Sequence, residues 1–126
     1  MADSVVDASA VAAFVFEEPH AAPVVHAISH SFLAPSLIHY ELANLCATKL
    51  RREPAAARLI LARYEIFLRL EFRTEEPEWE LLPELAQRWG LSAYDAAYLQ
   101  LAQRYEMPLV TLDARLAKAY AAATRG

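Results

Sequence analysis

Four carboxylates stand inside apolar runs of this chain: Asp7 in VVDASA, Glu41 in HYELANL, Asp95 in SAYDAAYLQLA and Asp113 in LVTLDARL. A buried carboxylate is costly to keep ionised unless an arginine, a proton or a metal ion compensates it. The four segments hold few basic residues of their own, so the pattern points to a metal ion. Carboxylate oxygens are hard donors that select magnesium, or manganese, with several waters retained. An ion held in this way activates water and stabilises charge on a phosphoryl oxygen. The chemistry indicated is hydrolysis.

Each acid also has a plainer reading. Asp7 and Asp113 both precede helical stretches and can serve as N-caps. Ser92-Ala93-Tyr94-Asp95 has the spacing of a capping box, although Glu or Gln is the usual third residue. Glu41 is harder to explain as a surface charge. It falls on the apolar stripe made by Ile38, Leu42 and Leu45 at helical spacing. Asp95 lines up in the same way with Tyr98, Leu99 and Ala102. Taken together, the four favour one shared site. Ser9, two residues past Asp7, and Asn44, three past Glu41 on the same helical face, are supporting candidates. Thr111, two residues before Asp113, is a further residue that could support the site, and all three are local backbone partners by default. Lys49, Arg51 and Arg52 read as a helix end that complements the dipole, with phosphate contact as the alternative. The histidines His20, His26, His30 and His39 lie in the first third. No HExxH pattern supports a zinc site among them. Cys46 reads as a small buried residue.

The elements that must carry these residues follow from punctuation and periodicity. Ser4 to Val6 reads as a short buried strand followed by a helix over 8–16. A helix over 24–29 and a second strand at 32–34 come next. Pro35 and Ser36 open a helix running to about Arg52, and Pro54 opens another to about Leu70. Residues 71–74 form a weak strand. Pro77 opens a helix that Gly90 ends. Ser92 caps a helix that ends before Pro108. Residues 109–112 form a strand, and Asp113 caps a final alanine-rich helix. Short apolar strands separated by helices imply a parallel sheet with helices on both faces. Ligands bind such sheets beyond the carboxyl ends of the strands, where Asp7 and Asp113 both fall.

Composition narrows the function classes. The 126 residues suit a single domain spanning 1–126. Hydrophobic residues make up 56%, which leaves apolar surface for a partner or a second subunit. The net charge of −4 argues against a broad nucleic-acid-binding surface, so any basic footprint must be local. One cysteine excludes an internal disulfide and fits the cytoplasm. No stretch has the length and apolarity of a membrane span, and no signal peptide is expected. With only Gly90 and Gly126 as glycines, glycine-rich phosphate loops are excluded.

The order and spacing of VVDASA, HYELAN, SAYDAAYLQLA and TLDARLAKA resemble the PIN-domain ribonucleases, most closely the VapC-type toxins of toxin–antitoxin pairs. The resemblance covers Val5 to about Ala119, and its most specific parts are DAAYLQLA and DASA. It implies a three-layer α/β/α sandwich around a short parallel sheet and a magnesium-dependent endoribonuclease. In it Asp7, Glu41, Asp95 and Asp113 match the acidic quartet, Ser9 the early hydroxyl and Asn44 the polar position after the glutamate. It also implies an RNA substrate, a cognate antitoxin as partner and a homodimer. A non-catalytic PIN-like module that binds protein or RNA is the rival reading. A DNA-directed structure-specific nuclease is a further one.

Overall fold

The computed structural model describes residues 2–19 and 21–125. Strand β1 (Ser4–Val6) is buried along its whole length, as a central parallel strand with helices on both faces must be. It pairs in parallel with β2 (Phe32–Ala34) on one side, Ser4 opposite Phe32 and Val5 opposite Leu33. It pairs with β4 (Leu109–Val110) on the other, Val5 opposite Leu109 and Val6 opposite Val110. Strand β3 (Arg73–Thr74) adds in parallel outside β2, so the order is β3-β2-β1-β4. The chain builds outward from β1 through β2 to β3, then returns to the other side of β1 for β4. That reversal creates the crevice at the carboxyl ends of β1 and β4 where open α/β sheets bind ligands.

Helices cover both faces of the sheet. Helix α1 (Ala8–Val15) packs against α2 (Ala22–Ser29), α3 (Leu37–Arg52) and α4 (Ala57–Arg69). In the second layer α6 (Ala93–Arg104) packs against β1 and β4 and lies between α5 (Leu82–Trp89) and α7 (Ala114–Arg125). The expected α/β/α sandwich is therefore the observed fold. The core joins Val5, Val6 and Val11 to Phe32, Leu33, Ile38 and Leu42, with Leu99, Leu101 and Leu116 from the other side.

Differences from the sequence reading are local. The last two strands are shorter than expected, because residues 71–72 and 111–112 leave the ladder. Pro77 does not start a helix. It is buried in an extended segment, a 3₁₀ turn begins at Trp79, and Pro83 stands in the first turn of α5 instead. Pro54 opens a 3₁₀ turn that leads into α4. On α3 the buried stripe is Ile38, Leu42 and Cys46, while Leu45 is exposed.

Three helices end in the same way, and only one does so with glycine. Beyond α5, Gly90 takes φ +65°, and Leu91 N–H donates to the Ala86 carbonyl. Glu17 (φ 51°) and Glu106 (φ 52°) play the same part after α1 and α6, with Glu18 donating to Ala13 and Met107 to Ala102. This 6→1 closure satisfies the last carbonyls of each helix. A side chain in the left-handed region costs about 1–2 kcal/mol. Glu106→Gly is therefore expected to stabilise the protein by about 0.5–1 kcal/mol, since glycine's larger unfolded-state entropy offsets part of the relief. Gly90→Ala is expected to destabilise it by about 1 kcal/mol from the backbone alone, because an added Cβ meets nothing within 4 Å. Urea unfolding of the two variants checks both signs.

Candidate metal and catalytic centre

Asp7 stands at the end of β1 and at the head of α1. Its backbone N–H donates to the Val110 carbonyl at 3.1 Å, which ties it to β4. Its side chain is the N-cap of α1, accepting from Ala10 N–H at 3.0 Å. The residue is only 4% exposed, so capping alone would leave the carboxylate poorly compensated. Two hydroxyls supply the rest. Ser9 Oγ donates to Oδ1 at 2.7 Å, and Thr111 Oγ1 donates to Oδ2. Each hydroxyl is itself held by the loop between β4 and α7. Leu112 N–H donates to Ser9 Oγ and Asp113 N–H to Thr111 Oγ1, both at 3.0 Å. Both Asp7 oxygens are thus fixed by donors that are in turn oriented by backbone.

Burial still raises the Asp7 pKa above its ordinary value. The bonds from Thr111, Ser9 and Ala10 oppose that shift, and the nearby charge of Asp113 adds to it. Asp113 is exposed and caps α7, its Oδ1 accepting from Leu116 N–H at 2.8 Å. Asp95 lies in the first turn of α6, where its N–H donates to Ser92 Oγ at 3.1 Å. Burial raises its pKa, the charges of Asp113 and Asp7 push the same way, and Arg115 opposes them. Glu41 reaches across from α3, and Oε1 accepts a 2.6 Å hydrogen bond from the Tyr98 hydroxyl on α6. Burial raises the Glu41 pKa and the Tyr98 bond lowers it. The charges of Asp7 and Asp95 raise it further.

The four acids therefore act on one another through space, and the structure brings Asp7, Glu41, Asp95 and Asp113 to one edge of the sheet. Ser9 joins them. Asn44 is exposed, with no hydrogen bond to the acids among the described residues, and its backbone carbonyl accepts from the Thr48 hydroxyl. Thr111 is a direct partner of Asp7. Tyr98, the partner of Glu41, matters more than its sequence context suggested. Tyr98 is 1% exposed, and burial followed by the Glu41 charge pushes its hydroxyl pKa upward. It remains a donor at neutral pH. The one signal in the sequence was its position three residues past Asp95, on the same helical face.

The donors fit a hard divalent cation by their chemistry. They are oxygens only, and three of them carry raised pKa values through burial and mutual repulsion, a strain that a cation relieves. Among the described residues no three His, Cys, Asp or Glu side chains are arranged to hold an ion directly. Magnesium does not require such a cage, since it is commonly bound through one or two carboxylates and keeps several waters. The described histidines are engaged with other partners, His39 with the Phe67 and Phe72 rings. His30 Nδ1 bonds the His26 carbonyl at 2.8 Å, and the two rings lie 4.1 Å apart. His20 lies outside the described residues. Lys49 is engaged elsewhere, 3.5 Å from Glu18 and over the Phe16 ring.

Comparisons with known proteins agree with this fold. The family model for the PIN domain matches residues 4–122. Ribonuclease VapC3 of Pyrobaculum aerophilum is 32% identical over 124 residues, which cover 94% of this chain and 95% of that protein. The crystal structure of PAE2754 from Pyrobaculum aerophilum shares the fold, with a TM-score of 0.75 at 24% identity over 94% of this chain and 86% of the other.

Two expectations follow from the electrostatics. Asp7, Glu41 and Asp95 hold their protons to higher pH in the folded chain than in the unfolded one. The folded state then binds more protons over that interval, so stability falls as pH rises above the ordinary values of 3.8 and 4.5. Asp95→Asn is expected to raise Tm in chelator at pH 7 and to flatten that fall. Added magnesium should then raise Tm more for the wild type than for the variant. A variant Tm at or below wild type, with an unchanged pH slope, would refute the repulsion. Thr111→Val removes a donor to Asp7 and an acceptor for Asp113. It is expected to cost about 2 kcal/mol in urea unfolding at pH 7, and less at pH 4, where Asp7 carries more of its proton.

Proposed function

This chain belongs to the PIN-domain family, and from that premise we propose that it is a magnesium-dependent endoribonuclease, with manganese as a substitute ion. We propose further that it acts as the toxin of a toxin–antitoxin pair in the cytoplasm. The observation that carries the catalytic reading is the Asp7 arrangement. A carboxylate at the sheet's switch point is fixed through both oxygens and surrounded by three further acids, with no ion pair formed to any of the four among the described residues. A purely structural design has no use for that accumulation of like charge.

In this reading Asp7 and Asp95 are the direct ligands, and Glu41 and Asp113 complete the shell directly or through water. The bound ion supplies charge neutralisation and polarisation at a phosphoryl oxygen. The protein supplies the rest. Ser9, Thr111 and the Ala10 N–H hold Asp7 in one rotamer and oppose its protonation. Tyr98 fixes one oxygen of Glu41, leaving the other to orient the attacking water. The sheet edge, with its short flanking loops, keeps these groups preorganised, so that little reorganisation is required when charge develops.

The toxin reading rests on the similarity to Ribonuclease VapC3 and on surface composition. Helices α3 and α4 expose Leu45, Leu59, Leu61, Ile66 and Leu68, apolar side chains available to a covering partner. A cognate antitoxin, or a second copy of the chain in a homodimer, would bury some of them. Among the described residues no helix is long and apolar enough to cross a membrane.

The test is a cleavage assay on RNA and DNA side by side. RNA is expected to be cut only with magnesium or manganese, and chelator should stop cleavage while circular dichroism shows an unchanged fold. Asp7→Asn and Asp95→Asn should reduce cleavage to background. Cleavage that persists in excess chelator, or full activity in purified Asp95→Asn, would end the metal-dependent reading. Cleavage of DNA alone would assign a different substrate. Co-expression with the adjacent gene should relieve toxicity and yield a co-purifying complex.

A further inference from the structure

Charge is unevenly spread over this chain. Helix α7 holds three of the 12 Lys and Arg residues, Arg115, Lys118 and Arg125, and none of the 16 Asp and Glu. Spacings of three and seven place the three cations along one face of the helix. All three are exposed, while Leu116 and Ala119 anchor the helix in the core. Among the described residues none of the three enters an ion pair, and Arg125 Nε donates only to the Ala121 carbonyl. Lys49, Arg63, Arg69, Arg73 and Arg104 differ in this respect, since each is matched by a carboxylate.

Helix stability does not account for the pattern. Arg125 in the last turn complements the macrodipole, but Arg115 in the first turn opposes it. Arg115 instead stands two residues past the Asp113 cap, close enough for its charge to act on Asp95. The helix begins at the site as well, since its cap is Asp113. From there to Arg125 the axis rises about 18 Å. A polyanion approaching four carboxylates needs local cations, and the net charge of −4 argues against a broad basic surface to supply them. The other exposed basic cluster, Arg51 and Arg52, lies at the far end of α3, about 15 Å along the axis from Glu41.

We propose that this face of α7 is the track that holds the sugar–phosphate backbone of single-stranded RNA beside the acidic site. Arg115 grips the phosphate nearest the acids, and Lys118 and Arg125 take phosphates further along. A single line of cations on one helix fits one strand; an A-form duplex would call for contacts spread across its minor groove. The inference rests on the ribonuclease reading above and deepens it by naming the docking residues.

The test compares wild type with the triple variant Arg115→Gln, Lys118→Gln, Arg125→Gln. The charge-matched control is Arg51→Gln, Arg52→Gln, Arg58→Gln. Binding of a short, unstructured, fluorescein-labelled RNA is measured by anisotropy across salt in chelator, and cleavage kinetics are measured in magnesium. With about 0.7 of slope per phosphate contact on single strands, the α7 variant should flatten log K against log salt by about 2. Its KM should rise on the order of tenfold at low salt, with kcat within about twofold. The control should move neither quantity. Arg115→Lys should keep the slope. If the triple variant is unstable, Lys118→Gln and Arg125→Gln singly should each remove about 0.7 of slope. An unchanged slope in the α7 variant, or an equal loss in the control, overturns the track. Loss of binding to a labelled polyglutamate peptide with RNA binding intact would assign the face to an acidic protein and also overturn it. If wild type cuts no RNA, the ribonuclease reading fails by itself, and the salt slopes still decide whether α7 binds the strand.

Discussion

Asp7 is under two opposing pressures, and the architecture around it is set by their balance. Burial at the end of a central strand favours the protonated acid. Three donors favour the carboxylate, and they come from two distant parts of the chain. Ser9 and Ala10 belong to the helix that Asp7 itself starts, whereas Thr111 follows β4, more than a hundred residues later. The pairing of β1 with β4 is thus more than a way to extend a sheet. It brings the Thr111 hydroxyl to the second oxygen of Asp7, and the next two backbone N–H groups orient the hydroxyls that do the donating. Misplacing the β4 register by one residue would turn Thr111 to the other face and leave a buried carboxylate short of a partner.

The same edge is electrostatically unfavourable in the absence of a cation. Burial and mutual repulsion both act against ionising Asp7, Glu41 and Asp95. Proteins keep such arrangements where function requires them, at a cost in stability. Part of the compensation is visible. The Tyr98 hydroxyl, held in the core by α6, bonds to Glu41 on α3 and so links the two helical layers across the site. Arg115 moderates Asp95. Neither neutralises the cluster, which is the condition expected of a site that completes itself with an ion.

Much of this was legible in the sequence because it is local. The acids declared themselves by standing in apolar runs, and the strand–helix order placed Asp7 and Asp113 at carboxyl ends. The caps at Asp7, Ser92 and Asp113 were readable from residue type. What escaped were contacts between segments far apart in the chain. Nothing near Tyr98 indicates that its hydroxyl meets Glu41, 57 positions away. Asn44 shows the limit of same-face spacing on a helix: among the described residues no hydrogen bond joins its side chain to the acids. Pro77 misled for a related reason. Its buried, extended segment is held by Gln100, whose Oε1 accepts from Glu78 N–H at 3.0 Å, and that tertiary bond replaces the helix start the proline suggested. The glutamates at positions 17 and 106 closed helices without glycine, because backbone hydrogen bonds and packing outweighed a modest conformational cost.

Net charge, read alone, is a poor guide to what this molecule can bind. The total of −4 describes an acidic protein, yet the chain does not spread its charges evenly. Carboxylates crowd the carboxyl edge of the sheet, most ion-paired cations are spent on glutamates at the periphery, and the unpaired cations of α7 begin where the acids end. At physiological ionic strength the Debye length is about 8 Å, so a ligand at that edge responds to the nearest charges and hardly at all to the total. For a polyanion the relevant field is therefore the local one: repulsive at the acids until a cation is bound, attractive along the adjoining helix. An acidic protein with this layout avoids indiscriminate adhesion to nucleic acid while keeping one short surface on which a phosphate backbone can rest. That arrangement reconciles its composition with the chemistry that its four carboxylates support.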